Sequence, residues 1–234
     1  MSFKIASGEI VALAGESGSG KSSIAYAVGR LLSPDVQIQG EICFSGENIL
    51  AATPAQMNGI RRSRLAFIFQ DPSTSLNPLM TIGSQLRMAG IESGLHSECL
   101  NMVNLKDTGR ILSSYPHELS GGMKQRLMIA AAVAKKPELI IADEPTASLD
   151  ATVGDGVMKE LRALSLKNRC AMLLITHDLK LAQKFADRIL FMRAGELVGD
   201  SDTHSESGSQ YIRQLKKASV LNQQPKTRIE TADA

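Results

Sequence analysis

The sequence lacks a long hydrophobic run and a dense cluster of basic residues. No apolar stretch approaches the roughly 20 residues that a helix needs to span a bilayer, so we expect any role at a membrane to depend on partner chains. The formal net charge is only +2, whereas nucleic-acid-binding domains usually present a strongly basic face. We therefore expect no nucleic-acid partner.

Cysteine is also scarce. The three residues of this type, Cys43, Cys99 and Cys170, are far apart in the chain, and their spacing is not that of a metal site. We expect three reduced thiols, mostly in the core, in a protein of a reducing compartment.

What is present indicates a globular α/β protein. The chain has 234 residues, of which 43% are hydrophobic and 21% charged, enough for one large core with a subdomain. Short apolar runs bounded by Gly, Pro and polar residues predict strands. The predicted strands cover residues 10–14, 37–44, 65–69, 139–142, 171–176, 189–193 and 196–198, and the last two form a hairpin across Ala194 and Gly195.

Helices are predicted between these strands, near residues 22–32, 82–89, 98–104 and 122–135. Residues 72–137 are mainly helical, so the α/β core is interrupted by a helical insert. We predict one domain over residues 1–200. Residues 201–234 form a polar, Ser-rich tail, which we expect to be partly disordered, with a short helical piece near 211–217.

A glycine-rich loop between the first strand and the first helix predicts a phosphate site. Its sequence, GESGSGKS, fits the pattern G-x-x-x-x-G-K-[ST]. The glycines let backbone N–H groups turn toward phosphate oxygens, Lys21 would reach the β- and γ-phosphates, and the Ser22 hydroxyl would bind Mg²⁺. The competing interpretation is a Gly/Ser-rich connecting turn. The predicted nucleotide-binding residues are Gly15, Glu16, Ser17, Gly18, Ser19, Gly20, Lys21, Ser22 and Ser23.

An acidic pair follows the apolar strand LIIAD. We predict that Asp143 holds Mg²⁺ through water and that Glu144 polarises the water that attacks the γ-phosphate. A solvated strand end is the plainer alternative.

A second glycine loop, LSGGM, precedes another predicted helix. Ser120 suits an N-cap, and Gly121 and Gly122 keep the helix start open, which together predict an anion site. Because the helical insert separates this loop from the first one, we expect it to serve another subunit's nucleotide. Simple helix capping is the alternative.

These motifs, in this order, resemble the ATP-binding subunits of ABC transporters over residues 8–198. GESGSGKS is similar to the Walker A loop, LSGGMKQR to the signature sequence, and LIIADE to Walker B. Gln70 corresponds to the Q-loop glutamine that senses magnesium and contacts the membrane subunit's coupling helix. His177 corresponds to the switch histidine. Residues 147–150 resemble the D-loop, where the family more often has Ala at the position of Ser148.

The resemblance implies a P-loop NTPase (RecA-like) core with an ABC helical subdomain and an antiparallel β subdomain. It also implies ATP and Mg²⁺ as ligands, with Ser22, Gln70 and Asp143 around the metal. Catalysis would rest on Glu144 and His177, together with Gln70. Two such domains would close head to tail around two ATP molecules.

Two stretches, FQDPSTSLNPLMTIG and YPHELSGGM, are similar to the peptide/nickel importer branch, and the longer stretch around the second is closer to nickel and metallophore importers. The resemblance implies four partners: a second ATP-binding subunit, related or identical, two permease subunits, and an extracytoplasmic substrate-binding protein. The expected location is the cytoplasmic face of the cell membrane, as a peripheral subunit.

The chain departs from the family at its start. Phe3 does not match the aromatic residue on which adenine stacks, so either that stacking is lost or the true start lies upstream. The missing Cys-rich C-terminal extension weakens the dipeptide interpretation. Two other functions stay open: a soluble ABC-type ATPase of repair or translation, and a regulatory subunit that binds nucleotide without turnover.

Overall fold

The computed structural model describes residues 1–202, apart from the side chains of residues 73, 74, 201 and 202. The predicted tail, with its helical piece near 211–217, therefore lies almost entirely outside the described residues. Eight strands are described: β1 (Ile10–Gly15), β2 (Cys43–Phe44), β3 (Glu47–Asn48), β4 (Leu65–Ile68), β5 (Leu139–Asp143), β6 (Ala171–Thr176), β7 (Arg188–Arg193) and β8 (Glu196–Asp202).

The strands form a six-stranded sheet in the order β4-β5-β6-β1-β7-β8 and a separate two-stranded sheet of β2 and β3. The neighbours from β4 to β7 are parallel, and β8 joins β7 antiparallel. The turn between β7 and β8 places Ala194 and Gly195 at positive φ, 47° and 83°, as a two-residue hairpin turn requires. The predicted hairpin is thus present.

Helices connect the strands, as parallel pairing requires. They are α1 (Lys21–Gly29), α2 (Pro54–Ser63), α3 (Pro72–Ser75), α4 (Ile82–Met88), α5 (His96–Asn101), α6 (Thr108–Ser113), α7 (Gly121–Ala134), α8 (Ala151–Asn168) and α9 (Leu179–Phe185), with short 3₁₀ turns at Ser93–Leu95 and Pro116–Glu118. The helices from α3 to α7 make up the predicted insert. The α/β class predicted from the sequence is confirmed.

The central sheet is buried on both faces. Along β1, Ile10, Ala12 and Ala14 belong to the cluster that includes the helical insert, while Val11 and Leu13 face a second cluster around α1 and α2. Side chains alternate across a strand, so one strand serves two cores. This explains why the predicted strands are continuous apolar runs rather than alternating ones.

Two details of the predicted elements were wrong. The strand expected over residues 37–44 is reduced to Cys43–Phe44, whose only partner among the described residues is Glu47–Asn48. The antiparallel part beside the core is therefore no larger than this hairpin and the β8 edge in residues 1–202. The sequence interpretation also missed two helices, α9 and α2, although Thr53 and Gln56 form a capping box at the start of α2. Over the described range, no helix is long and apolar enough to cross a membrane.

Candidate nucleotide-binding site

The site lies at the carboxyl edge of the central sheet. Strand β1 ends at Gly15, β5 ends at Asp143 and β6 ends at Thr176. The register pairs Ala14 with Thr176 and Asp143 with Ile175, so these strand ends are level. The sheet thereby brings the phosphate loop, the acidic pair and His177 to one edge, where ligands of open α/β sheets bind.

The phosphate loop depends on glycine at three positions. Gly18 and Gly20 have φ of 79° and 98°, which side-chain-bearing residues rarely adopt. A Cβ on Gly15 would lie 2.3 Å from the carbonyl oxygen of Met192, so no larger residue fits beside β7. Helix α1 begins at Lys21 and has no side-chain cap, which leaves its first N–H groups open to an anion.

Lys21 is folded back onto the loop. Its Nζ donates to the carbonyl oxygens of Gly15 at 2.8 Å and Glu16 at 2.7 Å, and lies 3.4 Å from Ser19 Oγ. Burial lowers the pKa of Lys21, while Glu144 and Asp143 oppose this shift. The ammonium group is therefore held beside the acidic pair by contacts that an incoming phosphate can replace.

Asp143 is the one buried carboxylate of the site and is incompletely paired. The residue is 2% exposed, and within residues 1–202 its Oδ1 is the buried side-chain atom without a hydrogen-bond partner. Burial raises the pKa of Asp143, and a hydrogen bond from Ser22 opposes the shift. An unpartnered carboxylate oxygen beside a serine hydroxyl is a donor set that suits Mg²⁺.

Within the site, the shortest side-chain hydrogen bond joins Glu144 and His177. Oε1 of Glu144 lies 2.6 Å from Nδ1 of His177 and also accepts the His177 backbone N–H at 2.9 Å. Oε2 receives only a long bond, 3.4 Å, from the Thr176 hydroxyl. Because a carboxylate can only accept, Nδ1 carries the hydrogen. One carboxylate oxygen and the imidazole Nε2 are left for other groups.

Of the remaining predicted residues, Ser19 is buried, and Ser23 lies in the first turn of α1. Gln70 is exposed and follows β4. Ser17 and Ser23 are exposed on either side of Lys21. Ser120 is the N-cap of α7 and accepts the Met123 N–H at 3.3 Å.

The α7 tip remains open although Ser120 caps it. Gly121 and Gly122 follow the cap, and a Cβ on Gly121 would meet nothing within 4 Å. Capping and an open anion site are thus compatible here.

The alternative interpretation of the acidic pair was a solvated strand end. Asp143 differs from that alternative because it is buried.

The sequence interpretation missed Gln125 and the contribution of Thr176. Gln125 on α7 is 0% exposed, and its Nε2 donates to the Pro145 carbonyl oxygen at 2.7 Å. A signal was available, because Gln125 shares the buried helix face of Met128 and Ala132 at i+3 and i+7. No local pattern pointed to Thr176, which ends a buried strand.

Comparison with known proteins identifies the family of the chain. A family model described as "ABC transporter" matches residues 1–147, more than half of the chain. The chain belongs to the ABC transporter family. The matched range includes the phosphate loop, the signature loop and the acidic pair.

Curated relatives of this ABC family member have names from peptide transport. The oligopeptide transport ATP-binding protein OppD of Lactococcus lactis subsp. cremoris is 41% identical over 82% of this chain and 60% of its own length. The dipeptide transport ATP-binding protein DppD of Escherichia coli is 39% identical over 88% of this chain and 66% of its own. The uncharacterized ABC transporter ATP-binding protein YejF of Escherichia coli is 43% identical, and the chain spans 40% of it. The chain thus spans about half of the curated relatives it matches.

A solved structure extends the likeness to the fold. The ATP-binding cassette MJ0796, a dimer in a post-hydrolysis state bound to ADP and Pi, superposes with a TM-score of 0.77. Its sequence is 31% identical, and the match covers 87% of this chain and 89% of that chain. The structural neighbours support the P-loop NTPase fold.

Proposed function

We propose that the chain is an ATP-binding and ATP-hydrolysing subunit that drives import through partner permeases. The observation that carries this proposal is the arrangement at the sheet edge. A phosphate loop, a buried carboxylate with an unpartnered oxygen and a Glu–His pair occupy adjacent strand ends. Nucleoside triphosphate hydrolysis needs these three elements: a phosphate cradle, a metal ligand and a group that orients water.

Binding starts at the phosphate loop. The triphosphate displaces the carbonyl oxygens of Gly15 and Glu16 from Lys21 Nζ, because a phosphate offers the ammonium group an opposite charge where the loop offers only dipoles. The N–H groups at the start of α1 add donors on the other side of the phosphates.

Ser22 and Asp143 would hold Mg²⁺, and Gln70 would complete its surroundings from the end of β4. When bound, the ion neutralises charge on the β- and γ-phosphates. Asp143 contributes a carboxylate whose burial cost is offset by a cation.

Water activation falls to Glu144. Its Oε1 is occupied by both His177 donors, so Oε2 is the oxygen that accepts a proton from the attacking water. His177 fixes the carboxylate through its ring and its main chain, and its Nε2 stays available to another group. The imidazole is 72% exposed, which is consistent with a group that completes its contacts only when nucleotide is present.

A second ATP-binding subunit, identical or related, would cover the nucleotide. The open tip of α7, with Ser120, Gly121 and Gly122, supplies donors that the subunit's own site does not use. The dimeric MJ0796 structure with ADP and Pi supports such an arrangement. Each ATP would then lie between Lys21 and Ser22 of one subunit and the α7 tip of the other.

A groove beside the helical insert suits a permease segment. A cavity of about 340 Å³ is lined by apolar side chains that include Leu76, Leu86 and Phe69, and it lies next to Gln70. A second groove of about 630 Å³ contains Arg62 and Lys135. Lys135 has its pKa lowered by burial and by Arg62, and within the described residues no carboxylate pairs with either cation. The apolar cavity and the basic groove together favour an amphipathic permease segment that carries an acidic group.

The names of the relatives support a proposal for the imported substrate. OppD and DppD carry oligopeptide and dipeptide names, which favours peptides over nickel complexes as the imported substrate. An extracytoplasmic binding protein would deliver that substrate, and the chain would act at the cytoplasmic face of the membrane. A soluble ABC-type ATPase of repair or translation is the second candidate, but the groove and these relatives favour transport.

Purification separates these candidates. The tagged full chain is expected to co-purify from detergent extracts with two membrane-spanning chains, and Arg62→Glu with Lys135→Glu is expected to lose them. Lys106→Glu, a charge reversal at an exposed site outside the groove, serves as the control. Capture of ribosomes or DNA-repair proteins instead of membrane chains would contradict the transport proposal.

A deletion strain then tests the cargo. Loss of the gene is expected to abolish uptake of radiolabelled di- and oligopeptides and to leave ⁶³Ni uptake unchanged. Restored uptake by the wild-type gene, but not by Glu144→Gln, would tie transport to hydrolysis. Selective loss of nickel uptake would overturn the assignment of peptides.

A further inference from the structure

Gln125 has a buried amide that none of the steps above uses. Nε2 donates to the Pro145 carbonyl oxygen at 2.7 Å, and Oε1 accepts a longer bond, 3.5 Å, from the Ser148 hydroxyl. Both partners belong to the segment that follows Glu144. The amide therefore joins α7, which carries the signature loop, to the loop behind the predicted catalytic base.

This loop starts from a strained residue. Glu144 has a φ of 47°, in the left-handed region that non-glycine residues rarely occupy and that persists only when the surroundings fix it. On one side, the Glu144 N–H donates to the Ile175 carbonyl oxygen at 2.9 Å. On the other side, the ring of Pro145 locks its own φ, so fixing the Pro145 carbonyl also restrains the peptide that links it to Glu144.

An apolar contact supports the same junction. A Cβ on Gly122 would lie 3.4 Å from Cδ2 of Leu149, so the α7 tip rests against the loop that Gln125 holds. Helix α7 thus meets residues 145–149 at two points one turn apart: the hydrogen bond from Gln125 to Pro145 and the packing of Gly122 beside Leu149.

We propose that Gln125 is a positioning residue for hydrolysis. It holds the backbone conformation that directs the Glu144 carboxylate to His177, and it makes that conformation depend on how α7 is seated. The proposal rests on the function proposed above. In that dimer the α7 tip contacts the other subunit's ATP, so Gln125 links occupancy of one site to the geometry of Glu144 in the other.

The first test compares Gln125→Met with Ser165→Ala in the full chain. Ser165 is equally buried and its hydroxyl donates to the Cys170 carbonyl oxygen at the far end of α8, so it controls for the loss of a buried side-chain-to-carbonyl bond. We expect Gln125→Met to lower kcat per bound ATP at least about tenfold, because small misplacements of reacting groups cost up to about 100-fold. ATP affinity and stoichiometry should stay within about twofold of wild type. Ser165→Ala should lower Tm but keep kcat.

The second test is a pH profile of Gln125→Glu. A protonated carboxyl can donate to the Pro145 carbonyl oxygen and an ionised one cannot, and burial favours the protonated form. The ratio of its kcat to that of wild type should rise as pH falls from about 8.5 to 6, whereas the ratio for Gln125→Met should stay flat. Dividing by wild type removes every pH effect that the variants share with it.

The outcomes are separable. If wild type hydrolyses ATP and Gln125→Met keeps its kcat per bound ATP while losing Tm as Ser165→Ala does, Gln125 is only structural and the proposal fails. A flat ratio for Gln125→Glu would also overturn it. If wild type shows no turnover with its partners, the proposed ATPase function fails instead.

Discussion

Nδ1 of His177 donates to Oε1 of Glu144 over 2.6 Å, across the ends of two neighbouring strands. The two residues are 33 positions apart in the chain, and the same carboxylate oxygen accepts the His177 backbone N–H. The pair is thus fixed twice at the histidine, once by the ring and once by the main chain. This leaves the second carboxylate oxygen, which receives only the long bond from Thr176, as the more open acceptor of this pair.

Glu144→Gln is expected to bind ATP and to stop hydrolysis. The amide keeps the shape of the side chain but cannot take a proton from water, and general bases contribute about 10²–10⁴-fold to rate. Phosphate release by the purified complex and equilibrium binding of a fluorescent ATP analogue measure the two properties. Glu160→Gln on α8 is the control, because it alters a carboxylate that accepts a hydrogen bond from Asn104 away from the site. Normal turnover by Glu144→Gln would show that another group is the base.

Lys21→Ala is expected to abolish ATP binding or to reduce it so far that turnover is lost. The change removes the ammonium group that lies among the loop carbonyls of Gly15 and Glu16, and with it the positive charge that would bind phosphate in their place. Lys106→Ala removes an exposed lysine elsewhere and should bind ATP as wild type does. Isothermal titration with ATP and Mg²⁺ distinguishes them, and equal affinities would contradict the assigned role.

Asp143→Asn should stabilise the nucleotide-free chain and impair turnover. Burial raises the pKa of Asp143 above its ordinary 3.8 on folding, so the free energy of unfolding falls as pH rises from the unfolded pKa through the folded one and stays reduced above both. The asparagine variant lacks this penalty. Its Tm at pH 8 should exceed that of wild type by about 2 °C or more.

Added ligand should stabilise the wild-type chain more than the Asp143→Asn variant. ADP with Mg²⁺ is expected to raise the Tm of wild type more than that of Asp143→Asn, since a bound cation compensates the carboxylate and the asparagine has no charge to offer. Thermal scans at pH 8 with and without the ligands measure both effects. A larger ligand-induced shift in the variant would argue against a metal at Ser22 and Asp143.

Thiol labelling tests the placement of the three cysteines. Cys43 is exposed, whereas Cys99 and Cys170 are buried, and burial raises the pKa of each buried thiol to about 11. Because the thiolate is the reactive form, the native chain should take up one maleimide at pH 7.5 and the denatured chain three. Cys43→Ser should take up none in the native state. Rapid native labelling of a second thiol would contradict the described core.

Local sequence determined the phosphate loop, the acidic strand end, the α7 cap and the β7–β8 hairpin. Each of these is set by residues next to one another: glycines that reach positive φ, a serine that caps its own helix, and strands whose unbroken apolar runs signal burial on both faces. The same short patterns predicted the strands of the central sheet and the helical insert over residues 72–137, but neither α2 nor α9.

Tertiary structure alone decided which residues meet. A strand needs a neighbouring strand to pair with. Among residues 1–202, no strand pairs with residues 37–42, so the apolar pattern there was not enough to form one. The Glu144–His177 bond, the unpartnered oxygen of Asp143 and the Gln125–Pro145 tie join positions that only the level ends of parallel strands and the seat of α7 bring within a few ångströms. Sequence spacing sets what each segment can form, whereas sheet register and helix packing set what each side chain contacts.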